Sequence, residues 1–339
     1  PSVPGPIPGF RIDDYSSAFD KESVAVFGQV GWRSADDRLS VDVSARYTRD
    51  TLDLIATDDA QTLSQPVRFN DSEDFTGFMP KLSVSFRASD DLMLFSTISR
   101  GYKSGGFNTA AGQVAGANPV YGKETATNYE VGLKSEFDQR LRLNASVFVM
   151  KWDDIQVAQT YQDPTLRFFT FTQNAAKATL KGAEIEITAV PFRNFDLLAS
   201  LGYNDSKFDD FISAINSDGS RVDASDNRVP FSSKWQASMA GEYSLPIGAG
   251  ALFLRGEYSY ASDFYQTSIN RDEIGYFIGS RRTVNARAGW RADRYSITVY
   301  GENLGGDDEV YLWDVGNMLS GYQAVVRPER FGVKFTTTF

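Results

Sequence analysis

Three groups of residues mix aromatic rings with guanidinium groups. Arg167 precedes Phe168, Phe169 and Phe171; Tyr265 leads to Arg271, Tyr276, Phe277, Arg281 and Arg282; Tyr311, Trp313 and Tyr322 precede Arg327. A wall of aromatic faces with guanidinium donors suits a bulky anionic or catecholate ligand, held by stacking, cation–π contact and bidentate hydrogen bonds. The same rings also suit a membrane–water interface, where Tyr, Trp and Phe collect for lipid reasons. Any single ring fits either reading, and the groups taken together favour binding.

Catalysis finds little to work with. The chain has no Cys and no His, so thiolate and imidazole chemistry, His-ligated zinc and an axial His for haem are absent from it. Paired carboxylates at Asp58-Asp59, Asp209-Asp210 and Asp307-Asp308-Glu309 read as solvated loop charges, or as sites where divalent ions bridge to lipopolysaccharide. No calcium-loop pattern is present, and no enzyme activity, cofactor or metal site is expected. The net charge of −10 and pI near 4.7 argue against nucleic acid as a partner.

The elements that carry these groups follow from periodicity. From Phe331, the chain alternates Phe331, Val333, Phe335, Thr337 and Phe339 against Gly332, Lys334, Thr336 and Thr338, a β-strand with one apolar and one polar face. The same alternation recurs in Val24–Trp32, Leu39–Tyr47, Lys81–Arg87, Leu92–Tyr102, Tyr129–Phe137, Leu141–Lys151 and Ala178–Val190. It continues in Phe195–Tyr203, Lys234–Leu245, Ala251–Tyr260, Arg282–Arg291 and Tyr295–Glu302. Tight turns alternate with connections of about twenty residues, the asymmetry of outer-membrane barrels, with short periplasmic turns and long extracellular loops. Aromatics reach 14% while hydrophobic residues stop at 42%, which suits a sheet apolar on one face only. No apolar run exceeds four residues, so a transmembrane helix is ruled out. The expected fold is therefore all-β, a transmembrane antiparallel β-barrel. Glu184, Glu186, Lys134, Arg142 and Arg287 fall on its polar face, where hydration and mutual pairing call for them.

The strands number about thirteen, and single-chain bacterial barrels have an even count. The expectation is a C-terminal part of a larger barrel, 23–339, preceded by a remnant of an extracellular loop, 1–22, that opens Pro/Gly-rich. A strand extended within Trp152–Thr172, through Ile155-Gln156-Val157 or Phe168–Phe171, is the alternative source of the odd number. Val24–Trp32 and the terminal strand run the same way, so they cannot be antiparallel neighbours.

Several stretches resemble the TonB-dependent outer-membrane receptors of Gram-negative bacteria: Ser99-Arg100-Gly101-Tyr102-Lys103-Ser104-Gly105-Gly106-Phe107-Asn108, the strand Glu124–Lys134, Lys181-Gly182-Ala183-Glu184-Ile185-Glu186, Glu302-Asn303-Leu304 and the ending from Arg330 to Phe339. They occur in the family's order across most of the chain. The resemblance implies a 22-stranded barrel filled by an N-terminal plug. Neither the plug nor its TonB-contacting box is recognisable here, so the plug and about nine strands are expected elsewhere in the receptor. It further implies TonB as a partner acting through the plug, outer-membrane lipid and lipopolysaccharide around the barrel, and an extracellular ligand, most often a ferric siderophore. The terminal face Phe331, Val333, Phe335 and Phe339 resembles the signal read by the barrel-insertion machinery, with the C-terminus periplasmic. A passive, porin-like channel is the alternative function.

Overall fold

The computed structural model describes residues 15–58, 67–108, 118–162, 168–212, 214–215, 220–272, 276–306, 310–313, 323–325 and 327–338. Thirteen strands form one sheet: β1 (Tyr15–Arg33), β2 (Leu39–Asp58), β3 (Val67–Arg87), β4 (Leu92–Lys103), β5 (Glu124–Phe137), β6 (Leu141–Gln162) and β7 (Phe168–Phe192), then β8 (Phe195–Asp210), β9 (Trp235–Ile247), β10 (Gly250–Ala261), β11 (Arg281–Ala292), β12 (Tyr295–Glu302) and β13 (Arg330–Thr337). Their order in the sheet is their order in the chain. Every neighbouring pair is antiparallel. No described helix is long and apolar enough to cross a membrane.

Register puts the apolar face together row by row. Val26, Val30 and Trp32 of β1 oppose Tyr47, Val43 and Val41 of β2, and Val43 and Val41 oppose Leu82 and Val84 of β3. Val26 is 69% and Val30 75% exposed, values incompatible with a soluble core and natural for a face that meets lipid. The band from Leu39 to Tyr47 rises about 27 Å along its strand, enough to cross the hydrocarbon layer at a tilt. Aromatic rings gather at the tight-turn rim, where Phe192 stacks on Phe195 at 4.8 Å and Trp290 meets Tyr295 at 5.1 Å. They gather again toward the long connections, where Tyr203 meets Trp235 at 4.7 Å.

The opposite face is polar. Arg255 pairs with Glu257 at 2.7 Å and Glu242 at 3.8 Å, while Arg287 reaches Glu257 at 3.3 Å and Arg291 reaches Glu242 at 3.4 Å. Arg142 pairs with Glu136 at 2.8 Å, and Lys134 lies 5.7 Å from the centre of the Phe95 ring. Aromatic rings on this face lie over glycines. A Cβ at Gly182 would sit 2.4 Å from Phe148 Cζ and 2.5 Å from the Tyr203 carbonyl oxygen; the ring can swing away, but the carbonyl belongs to the neighbouring strand. Gly182→Ala is therefore expected to lower barrel stability by about 1–3 kcal/mol. Gly28, whose Cβ would meet nothing within 4 Å, tolerates alanine. The unfolding temperature of the two variants in detergent gel-shift assays checks this contrast.

The strands outrun the sequence expectation at one rim. β1 begins at Tyr15, so 15–22 are strand and not loop. β2 and β3 both run past the expected segments, so that only 59–66 separate them, and only 163–167 separate β6 from β7. Ile155-Gln156-Val157 and Phe168–Phe171 do extend the flanking strands, and the count stays at thirteen. Polar pairs such as Thr51 opposite Glu22 continue the ladder where no lipid demands an apolar face, so periodicity gives no sign of them. The buried clusters lie under these long-connection ends. One joins Ile155, Ala176, Ala178, Phe208 and Phe211, and the other joins Leu54 to Phe107.

Candidate ligand-facing site

Four of the long connections carry short ribbons, and the one between β8 and β9 pairs Ala214–Ile215 with Arg221–Val222. After β4, Gly106–Phe107 pairs with Val120–Tyr121; between β10 and β11, Phe264–Tyr265 pairs with Phe277–Ile278; between β12 and β13, Val310–Trp313 pairs with Gln323–Val325.

The β10–β11 connection holds most of the arginine–aromatic candidates. Tyr265 and Phe277 face each other at 5.4 Å, edge to face. The Arg271 guanidinium lies 5.6 Å from the Tyr276 ring centre, and Arg281 lies 5.0 Å from that of Phe264. Phe264 and Ile278 are buried and anchor the ribbon, while Phe277 is 37% exposed. The Tyr265 hydroxyl donates to Asp272 at 2.8 Å. This bond, reinforced by partial burial, holds the phenol proton on and raises its pKa above the ordinary tyrosine value.

A residue that composition did not single out completes the group. Arg228, from the β8–β9 connection, lies 5.5 Å from the Tyr265 ring centre. Its Nη1 pairs with Asp263 at 2.6 Å, and its Nη2 donates to the Asp263 and Ser232 carbonyls at 2.6 and 2.9 Å. Asn270 closes the join by accepting from the Arg228 amide at 2.6 Å and donating to its carbonyl at 3.0 Å. Asn270 has φ +54°, a left-handed conformation that asparagine tolerates better than most residues. Arg228 thus fastens two connections and offers its cation to a tyrosine face. Below this group, a hollow of about 900 Å³ is lined in part by Glu184, Glu186, Asn204, Gln236, Arg281 and Thr283.

The other candidates divide. Val310–Trp313, which carries Tyr311 and Trp313, lies beside Phe277–Ile278, so the second and third groups share one part of the rim. Phe168 and Phe169 open β7 opposite Gln162 and Tyr161, away from them in the sheet order. Phe171 is buried, which removes it as a ligand contact. Arg167, Tyr322 and Phe339 lie outside the described residues, as do Asp59 and 307–309. Phe331, Val333 and Phe335 are 71%, 71% and 63% exposed on the apolar face of β13.

Amide side chains clamp the β4–β5 connection over the polar face. Asn174 accepts from the Gly122 amide at 2.6 Å and donates to the carbonyls of Gly122, Lys123 and Asp154 at 2.9, 3.2 and 2.8 Å. Asn108 accepts from the Thr172 amide and donates to the Thr172 carbonyl, both at 2.7 Å. The Gln156 amide donates to Glu124 at 2.7 Å, and its side chain donates to the Ser104 carbonyl at 2.7 Å. Gly105 makes the close packing possible, since a Cβ there would meet the Tyr121 carbonyl oxygen at 2.2 Å and Phe75 at 2.3 Å. Thus the Ser99–Asn108 stretch enters the loop region through a fastened corner.

This architecture has a known counterpart. The family model described as TonB dependent receptor-like, beta-barrel matches residues 1–304. The chain belongs to this family of TonB-dependent receptor barrels. Barrels of this family are proteins of the Gram-negative outer membrane. The pesticin receptor of Yersinia pestis is 24% identical over 290 residues, covering 84% of the chain and 39% of the receptor, and a pesticin receptor of Yersinia enterocolitica matches to the same extent. The chain thus spans about two fifths of these curated relatives. Among solved structures, the ferric yersiniabactin uptake receptor of Yersinia pestis superposes with a TM-score of 0.81 at 20% identity, covering 98% of the chain and 48% of that receptor. The siderophore receptor PiuA of Acinetobacter baumannii gives 0.72 at 15% identity, over 95% of the chain and 43% of that receptor. The copper transporter OprC gives 0.70 at 16%, over 94% and 48%. These superpositions carry the barrel fold.

Proposed function

We propose that the chain forms the ligand-facing part of the barrel of an active outer-membrane receptor, one that takes up a scarce ferric siderophore complex. The observation that carries this reading is the arginine–aromatic group at the rim, where Arg228, Arg271 and Arg281 each lie against a ring. A ferric complex wrapped in catecholate or phenolate donors presents an anionic surface and flat rings, and such a group answers both. Family membership and neighbours that carry ferric siderophores support the same conclusion.

In this account Tyr265, Arg271, Tyr276, Phe277 and Arg281 contact the ligand. Tyr311, Trp313 and Tyr322, from the connection next in the chain, and Arg167, Phe168 and Phe169, at the start of β7 and just before it in the sequence, contribute further contacts. A plug and the remaining strands, supplied by the rest of the receptor, complete a 22-stranded barrel, with TonB drawing on the plug. Lipopolysaccharide surrounds the outer rim and the C-terminus is periplasmic. The exposed residues Phe331, Val333 and Phe335 of β13, together with Phe339 farther along the sequence, serve as the assembly signal.

Quenching of intrinsic fluorescence by a panel of ferric complexes (tricatecholate, mixed phenolate, hydroxamate and citrate) tests the ligand class. One ferric complex is expected to bind with a Kd at or below about 1 μM. Binding of none of them, with a steady open pore in planar bilayers, contradicts the receptor reading in favour of a passive channel.

A further inference from the structure

One aromatic residue at the rim has a backbone conformation that its side chain disfavours. Among the described residues, nine that are not glycine have positive φ. Seven of them are Asp or Asn, whose short polar side chains tolerate the left-handed region. Gln139 belongs to the tight turn between β5 and β6. The ninth is Phe231, at φ +58° in the β8–β9 connection, and for so bulky a residue that conformation is strained.

The strain is held from both sides. The Phe231 amide donates to the Tyr265 carbonyl at 2.8 Å. The carbonyl of Ser232, the next residue, accepts from Arg228 Nη2 at 2.9 Å, and the Ser232 hydroxyl accepts from Asn204 at 3.0 Å and from Ser206 at 2.6 Å. At position 231 these bonds use the backbone alone, so asparagine there would keep them. Burial does not account for the phenylalanine either, because its ring is 62% exposed. The ring leans on buried Phe264 at 5.8 Å, tilted by 42°, and Arg281 lies 5.0 Å from the centre of Phe264. A strained backbone thus presents an open aromatic surface beside the arginine–aromatic group, and neither local conformation nor packing requires it.

We propose that Phe231 determines specificity at the rim: its ring stacks on a catecholate or phenolate ring of the ferric complex, so that aryl-bearing complexes are chosen over hydroxamate and citrate ones. Strained residues persist where the surroundings over-determine them, and they cluster at ligand clamps. A ligand ring laid on Phe231 gains a stacking partner already braced by Phe264, while Arg281 draws the anionic complex to the same spot. The inference rests on the reading that this rim binds a ferric complex, and it adds a residue and a ligand feature to that reading.

The test uses the whole receptor purified in detergent, with fluorescence quenching by a ferric tris-catecholate, a ferric trihydroxamate and ferric citrate. Amide exchange at Gln266, which donates to the Tyr276 carbonyl, reads the local structure. Phe231→Asn removes the ring and the strain together. It is expected to weaken tris-catecholate binding at least about tenfold, while protection at Gln266 stays equal or rises. Phe231→Tyr should keep the affinity, and Phe231→Leu, apolar but without a ring face, should not. Gln139→Asn relieves the same conformation at the opposite rim and should leave binding unchanged. Equal tris-catecholate affinity in the wild type and Phe231→Asn overturns the proposal, as does an equal loss in Gln139→Asn. Wild-type protein that binds the trihydroxamate or citrate complex as tightly as the tris-catecholate also overturns it. So does a loss of Gln266 protection in Phe231→Asn, since the ring would then be holding the connection. Wild-type protein that binds none of the three complexes overturns the receptor reading along with it.

Discussion

Replacing Arg228 with alanine is expected to abolish tight ligand binding while leaving the barrel intact. The guanidinium is 15% exposed and holds Asp263, which is 40% exposed, together with two carbonyls and the face of Tyr265. Its removal strands a half-buried carboxylate and releases the β8–β9 connection from the β10–β11 connection. Partial solvent screening of Asp263 keeps the cost below that of a fully buried pair, at about 2–3 kcal/mol of local stability. Amide exchange reads this directly. Protection at Phe231, whose amide donates to the Tyr265 carbonyl, and at Gln266, which donates to the Tyr276 carbonyl, should fall roughly thirty- to a hundredfold. Ligand affinity should fall at least tenfold, because Tyr265, Phe277 and Arg271 lose their common frame. Arg228→Lys keeps the charge but not the planar fork, so it should restore little. Unchanged exchange at both amides would show that the two connections hold their places without it.

Asn174→Ala should have the second largest effect, on the β4–β5 connection. One side chain here serves four backbone groups, and alanine leaves the Gly122 amide without its acceptor. The expected cost is about 1–3 kcal/mol, doubled or more when Asn108→Ala is added, since the buried Asn108 holds Thr172 in the same way. Asn174→Asp separates the two halves of the clamp: it keeps the acceptor for Gly122 and loses the donors to three carbonyls, so it should recover only part of the loss. Exchange at Gly122 and Gln156 distinguishes the three variants. Tyr102, which donates to Asp50 at 3.0 Å from the strand below, should keep its contact in all of them.

These two sites mark where the sequence was readable and where it was not. The sheet was readable because lipid imposes a period of two on one face. The segments from Val24–Trp32 to the terminal strand were found within the membrane band, in order and in number. Their extensions were hidden because pairs such as Lys21 opposite Leu52, or Glu22 opposite Thr51, make a ladder without an apolar face. Tyr265, Arg271, Tyr276 and Phe277 stood out because they crowd one connection, and the fold keeps them together. Arg228 did not stand out, since it sits in a different connection and its partners become neighbours only through the fold. Asn108 and Asn174 carry no signal of their own; an amide in a loop is ordinary until the backbone it serves is known.

The account's central claim is energised uptake of a ferric complex by a barrel whose rim connections bind it. Accumulation of radioactive iron, supplied as the bound ferric complex to cells carrying the whole receptor, tests that claim most directly. Uptake should saturate, stop when the proton gradient is collapsed, and fall at least tenfold with Arg228→Ala at limiting complex. Uptake that rises linearly with concentration and survives loss of the gradient would contradict it and identify a passive pore.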